Sequence, residues 1–80
     1  MKKEEEYDEQ KFKVRSYGKS ELAILYLPNI SPQSAADALR IWIIKHPGLS
    51  EALAATGAKP KDKKYTPAQV RMIVEALGEP

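Results

Sequence analysis

Apolar residues recur at spacings of three and four in the middle of the chain, which predicts an amphipathic helix over residues 31–46. The stripe expected to face the core consists of Ala35, Leu39, Trp42, Ile43 and His46. Ser31 can accept a hydrogen bond from the first turn, and Pro32 suits the first helical position because no N–H is needed there. The same period leaves a second, mainly polar face, which consists of Gln33, Asp37, Arg40 and Ile44.

A second apolar segment, from Lys19 to about Leu27, precedes this helix and predicts another helix that is buried over more than half of its circumference. Pro28 cannot continue a helix, so the chain must turn before Ser31. A connection of three or four residues between two helices is the length expected of a helix-turn-helix corner.

Two shorter patterns predict helices in the second half of the chain. Residues 49–56 carry inward-facing leucines and end before Gly57, which suits a left-handed C-terminal cap. The last helix is expected to begin after Thr66 as the N-cap, with Pro67 at its first position and Gln69 completing a capping box. It should continue to Leu77.

Alternating apolar and basic residues predict a short strand at residues 12–16, paired with a second strand at residues 63–66. The expected fold is therefore mainly α: a helix-turn-helix, winged-helix-like domain with four helices and a small two-stranded β element. We expect one such domain over residues 12–80. Residues 1–11 are acidic and lack periodicity, which predicts a disordered tail.

Composition excludes several kinds of site. The 80 residues include no cysteine and one histidine, so a thiolate metal site and a thiol nucleophile are not expected. We expect His46 to have no partner for a catalytic triad or dyad. His46 follows the predicted apolar stripe, where capping of a helix C-terminus accounts for it. We therefore predict a protein that is not an enzyme and uses no cofactor, metal or small-molecule ligand. No segment is long and apolar enough for a membrane span, and we expect a cytoplasmic protein.

Charge is distributed unevenly around a net value of +2. The first ten residues contain two lysines against five acidic residues, whereas the remaining seventy contain eleven basic and six acidic residues. A moderately basic domain with a helix-turn-helix pattern permits double-stranded DNA as a partner.

In helix-turn-helix proteins, residues near the start of the second helix touch base edges in the major groove. The candidates in this chain are Gln33, Ser34, Asp37 and Arg40. Gln and Arg can form bidentate hydrogen bonds with adenine and guanine, respectively. Asp37 could accept from cytosine or form an ion pair with Arg40 on the same helix. The candidates for phosphate contacts are the loop lysines Lys59, Lys61, Lys63 and Lys64.

Because a domain of this size offers little interface, we expect the DNA-binding protein to act as a dimer or together with a second protein. The alternative hypothesis is a protein–protein interaction module that uses the exposed face of helix 31–46 against a partner. Ile41 and Ile44 distinguish the two hypotheses. If either is exposed in the middle of the supposed DNA-facing surface, protein binding is favoured.

Four segments resemble a family of short, uncharacterised bacterial proteins, a domain of unknown function. These segments are residues 12–23, 28–42, 65–70 and 77–80. More loosely, Lys19–Ala23, Ser31–Trp42 and Lys63–Val70 are similar to winged helix-turn-helix domains of the MerR and excisionase group. That second resemblance implies a DNA-binding architecture, either kept for DNA, as in a transcription regulator or an excisionase-like accessory factor, or adapted to bind protein.

Overall fold

The computed structural model describes residues 12–80, and the segment 1–11, predicted to be a disordered acidic tail, lies outside this range. The described residues form four helices and one two-stranded antiparallel sheet. In chain order the elements are β1 (Tyr17–Gly18), α1 (Lys19–Tyr26), α2 (Pro32–Lys45), α3 (Leu49–Ala55), β2 (Lys64–Tyr65) and α4 (Pro67–Leu77). The predicted mainly helical, helix-turn-helix-like fold with a small β element is confirmed.

The helix-turn-helix pair is formed by α1 and α2, which pack against each other more extensively than any other two elements. Leu27 caps the end of α1 and Ser31 caps the start of α2, so the turn between the caps is Pro28–Ile30. Ser31 Oγ accepts a hydrogen bond from the backbone N–H of Ser34 at 3.2 Å. The predicted turn length and N-cap are both confirmed.

The first strand differs from the sequence prediction. Residues 12–16 are not in a strand, and β1 begins only at Tyr17, which pairs with Tyr65, while Gly18 pairs with Lys64. The segment before β1 folds back on the sheet, because the ring of Phe12 stacks on that of Tyr17 at a centroid distance of 5.4 Å. Tyr17 also donates its hydroxyl hydrogen to the carbonyl of Lys13. Side-chain packing replaces strand pairing in this segment.

The core lies where the four helices and the sheet meet. Its fully buried large side chains are Leu22, Leu39, Val70 and Ile73. Trp42 is not among them, and the prediction that it fills the core is wrong: 39% of its surface is exposed. The ring lies at the edge of the apolar stripe and meets Tyr26 of α1 in an edge-to-face contact, with centroids 6.2 Å apart.

The later helices begin and end close to where the sequence predicts. Gly57 has a φ of +96° just after α3, in the left-handed region that glycine adopts without strain. Thr66 and Gln69 form the expected capping box at the start of α4. Among residues 12–80, no helix is long and apolar enough to cross a membrane.

Candidate nucleic-acid interface

The surface of α2 opposite the core is exposed. Its buried residues, Ala35, Leu39 and Ile43, repeat at four-residue spacing and face the other helices. The opposite side, which we call the exposed face of α2, consists of Gln33, Ser34, Asp37, Arg40, Ile41 and Ile44. All four residues that the sequence nominates for base contacts are therefore on one accessible helix surface.

A groove of about 520 Å³ runs beside this face, between α2, α3 and the loop after α3. We call it the α2–α3 groove. Its lining residues are Lys19, Ala36, Asp37, Arg40, Ile43, Ile44, Ser50, Leu53, Ala54, Ala58, Lys59, Pro60 and Tyr65. The lining contains aliphatic side chains from both helices and charged side chains from α1, α2 and the loop.

Three cationic side chains from different parts of the chain line the groove. Arg40 comes from α2, Lys59 from the loop and Lys19 from the first position of α1. The Lys19 ammonium lies 3.4 Å from the carbonyl oxygen of Lys59 and 5.4 Å from the centre of the Tyr65 ring. Asp37 is the one carboxylate among the lining residues. The groove thus offers more positive than negative charge to a ligand.

Tyr65 forms a largely buried part of the groove wall. Burial raises the pKa of its hydroxyl, and the nearby positive charge of Arg40 acts in the opposite direction. Arg40 and Tyr65 both line the groove. Arg40 is therefore positioned between the exposed face of α2 and the groove, accessible to a ligand on either surface.

Asp37 and Arg40 do not form the intrahelical ion pair that their spacing permits. Within residues 12–80 the one salt bridge joins Arg15 to Glu21, at 3.3 Å. Arg40 is consequently not neutralised by its helical neighbour and keeps its donors for another partner. Asp37 is also exposed, so a negative charge remains in the middle of the face.

The lysine-rich loop is held in place by its own backbone and by α1. The Asp62 carboxylate accepts from the N–H of Lys59 at 3.0 Å, and the N–H of Lys19 donates to the carbonyl of Lys63 at 3.0 Å. Asp62 thus stabilises the turn of the loop. The exposed lysines of the loop and of β2 are Lys59, Lys61, Lys63 and Lys64.

The structure brings together some of the nominated residues and separates others. Asp37, Arg40 and Lys59 line one groove, whereas Gln33 and Ser34 lie outside it at the start of α2. The groove lining also does not include Lys61, Lys63 and Lys64. The candidate interface is therefore a groove flanked by two further polar surfaces.

Lys19 and Tyr65 are among the lining residues that sequence reasoning did not nominate. Lys19 resembles any lysine at the start of a helix, and its position beside the loop depends on contacts between residues 40 positions apart. Tyr65 was assigned only to a strand. Neither has a local signal that would identify it, because both positions follow from the pairing of β1 with β2.

Two apolar residues on the exposed face of α2 remain uncovered. Ile41 is 44% exposed and Ile44 is 56% exposed. Core packing does not require either side chain, because Leu39 and Ile43 already fill the space beneath the helix. Among residues 12–80, no group of three or more His, Asp or Glu side chains is placed to hold a metal ion.

Residues 13–80 match the family model described as Domain of unknown function (DUF4248), and the chain belongs to this family. Neither the comparison with curated proteins nor the comparison with solved structures found a match.

Proposed function

We propose that this member of the DUF4248 family is a small DNA-binding protein of helix-turn-helix type, a transcription regulator or an excisionase-like accessory factor. The observation that carries the proposal is the convergence of Lys19, Arg40 and Lys59 on the groove beside the second helix of the pair. Cations from separate elements on one concave surface suit the regularly spaced phosphates of a duplex. A protein that acts on bacterial DNA would work in the cytoplasm.

The base-reading surface in this proposal is the exposed face of α2. Gln33, Ser34 and Arg40 supply donors that can reach base edges, and Asp37 can accept from the amino group of cytosine. The loop lysines contact phosphates, which gives affinity but no sequence preference. The similarity of Lys19–Ala23 and Ser31–Trp42 to the MerR and excisionase group supports the same assignment.

The test is a titration of the protein against pooled random duplexes at several salt concentrations. In this assay Lys61, Lys63 and Lys64 are changed together to Gln. We expect weaker binding and a salt slope smaller by about 2 to 3, roughly one per lost phosphate contact. The matched control changes three cations elsewhere, Lys13, Lys45 and Arg71, to Gln. If both triple variants lose affinity equally, the binding is nonspecific attraction and the assigned interface is wrong.

A second candidate function, protein binding through the exposed face of α2, is favoured by the exposure of Ile41 and Ile44. The simplest partner is a second copy of the chain, since a domain of this size covers few base pairs and DNA-binding domains of this type commonly act as dimers. Ile44→Glu should preserve the fold and convert a dimer to a monomer in sedimentation experiments. A wild-type protein that stays monomeric at every concentration would exclude the second copy as the partner.

A further inference from the structure

The α2–α3 groove has a charge opposite to that of the segment that precedes the described fold. Residues 1–11 contain three lysines and five acidic residues, and the acidic residues all lie within positions 4–9. The groove presents Lys19, Arg40 and Lys59 against the single carboxylate of Asp37. Oppositely charged surfaces in one chain attract each other, most strongly at low salt.

The first described residue, Phe12, is linked by packing and strand pairing to the wall of the groove. Phe12 stacks on Tyr17, Tyr17 pairs with Tyr65, and Tyr65 forms part of the groove wall. Tyr17 and Tyr65 therefore connect the beginning of the described chain to the groove. Six residues in extended conformation span up to about 20 Å, so positions 4–9 have the reach to cover the groove.

The chemistry of the acidic segment also fits the lining. Ile43 and Leu53 are buried lining residues, which we call the apolar floor, whereas Arg40 and Lys59 are exposed lining residues, which we call the cationic rim. Positions 4–9 combine five carboxylates with one aromatic residue, Tyr7. The ring can bury apolar area on the floor while neighbouring carboxylates meet Lys19, Arg40 and Lys59.

We propose that residues 4–9 bind in the α2–α3 groove of the same chain, with Tyr7 on the apolar floor and the carboxylates at the cationic rim. A short tether gives the segment an effective concentration in the millimolar range, which a separate peptide would have to match. Asp37 opposes the interaction and keeps it weak and reversible. Only the consequence for DNA rests on the proposed function: in a protein that binds DNA, the segment competes with DNA phosphates for the same cations.

The chain has no cysteine, so one introduced thiol gives a single labelling site in the full-length protein. A nitroxide on Lys3→Cys should broaden the amide signals of groove residues such as Lys19, Arg40 and Lys59 at low salt. Signals of Arg71 and Glu75, on the exposed side of α4, should change much less. The broadening should disappear in about 1 M salt, where electrostatic screening acts within roughly 3 Å.

The matched variant carries the same label with all five acidic residues neutralised: Glu4→Gln, Glu5→Gln, Glu6→Gln, Asp8→Asn and Glu9→Gln. Loss of broadening in this variant supports the proposal, whereas unchanged broadening overturns the electrostatic assignment. Equal broadening over the whole surface, or none, also overturns it. Mixing labelled chains with isotope-labelled, nitroxide-free chains identifies binding to a second copy, which would contradict docking within one chain.

DNA titration of the neutralised variant separates this proposal from the proposed function. If both are correct, the variant binds random duplexes several-fold more tightly than the wild type, and the difference shrinks as salt rises. If the amide signals of groove residues broaden but the protein binds no DNA, the docking proposal is correct and the proposed DNA function is wrong. DNA binding that is unchanged by neutralisation, together with absent broadening, overturns the docking alone.

Discussion

Two helices of this protein begin with nearly the same sequence signal, yet their first turns serve different purposes. Ser31-Pro32-Gln33-Ser34 opens α2, and Thr66-Pro67-Ala68-Gln69 opens α4. In both, a hydroxyl oxygen accepts from a backbone N–H three residues later, at 3.2 Å. At α4 the polar side chain of that turn is buried and bonded, whereas at α2 the polar side chains remain exposed.

The difference arises from what packs against each turn. Gln69 is 4% exposed, and its side chain accepts from the N–H of Thr66 at 2.9 Å and donates to the Thr56 hydroxyl at 2.8 Å. Thr56 in turn donates to the carbonyl of Leu53, which ties the end of α3 to the start of α4. Gln33 and Ser34 have no such neighbouring element over them. One local signal therefore yields a structural joint at α4 and an available polar surface at α2.

The largest expected effect is that of Gln69→Ala. The substitution removes both hydrogen bonds of the Gln69 side chain and leaves the Thr66 N–H without its acceptor. We expect a loss of about 2 kcal/mol in the free energy of unfolding, measured by urea denaturation followed by circular dichroism.

The matched substitution at the other helix start is Gln33→Ala. Because Gln33 is exposed, its removal should change the unfolding free energy by no more than about 0.5 kcal/mol. Equal losses for the two variants would show that the first turn of α2 is also held by side-chain contacts. In that case Gln33 would no longer be a good candidate for contacting a base.

The contrast also explains which features the sequence could predict. Caps, prolines and helix-ending glycines act within a few residues, so Ser31, Thr66 and Gly57 mark helix boundaries correctly. The positions of Lys19 and Tyr65 beside the groove depend on pairing between distant segments, which no local pattern encodes. Trp42 was misjudged because the period assigns it to the apolar stripe but does not show how far the neighbouring helix covers the edge of that stripe.

The strand prediction was wrong for a related reason. Alternation over residues 12–16 fits a strand, but a strand also needs a partner along its length, and β2 supplies only Lys64–Tyr65. Phe12 instead packs on Tyr17, and Arg15, although exposed, also lies over the Tyr17 ring, at 3.8 Å from its centre. The nominated DNA contacts remain predictions, because accessibility of Gln33, Ser34 and Arg40 is necessary for recognition without being specific to it.

An intermediate effect is expected from the capping hydroxyls. Thr66→Ala should cost about 1 to 2 kcal/mol of unfolding free energy, and Ser31→Ala about 0.5 to 1 kcal/mol, since the first hydroxyl belongs to a joint that Gln69 completes. Double variants test whether the two side chains of each first turn stabilise the protein together or independently. Thr66→Ala combined with Gln69→Ala should be less destabilising than the sum of the two, whereas Ser31→Ala and Gln33→Ala should add. If the losses in unfolding free energy added at both helices, the side chains of Thr66 and Gln69 would not act together, and the first turns of α4 and α2 would not differ in this respect.

The smallest change in stability is expected from substitutions at the start of α1. This helix has a third kind of N-terminal cap. Gly18 has no side chain to offer, so the Glu21 carboxylate accepts from the Gly18 N–H at 3.0 Å and lies beside Arg15. The backbone hydrogen bond, followed by that of Arg15, lowers the pKa of Glu21 below its ordinary value of 4.5.

Because the pKa of Glu21 is lower in the folded state, its contribution to stability is present above pH 4.5 and declines as the pH falls through the folded-state pKa. Urea midpoints of wild type and Glu21→Gln should therefore differ at pH 7 and converge once the pH has fallen below the folded-state pKa of Glu21. Arg15→Gln should remove only part of that difference, since the Gly18 hydrogen bond remains. If the pH-dependent difference vanished entirely in Arg15→Gln, the ion pair rather than the backbone cap would be what stabilises the start of α1.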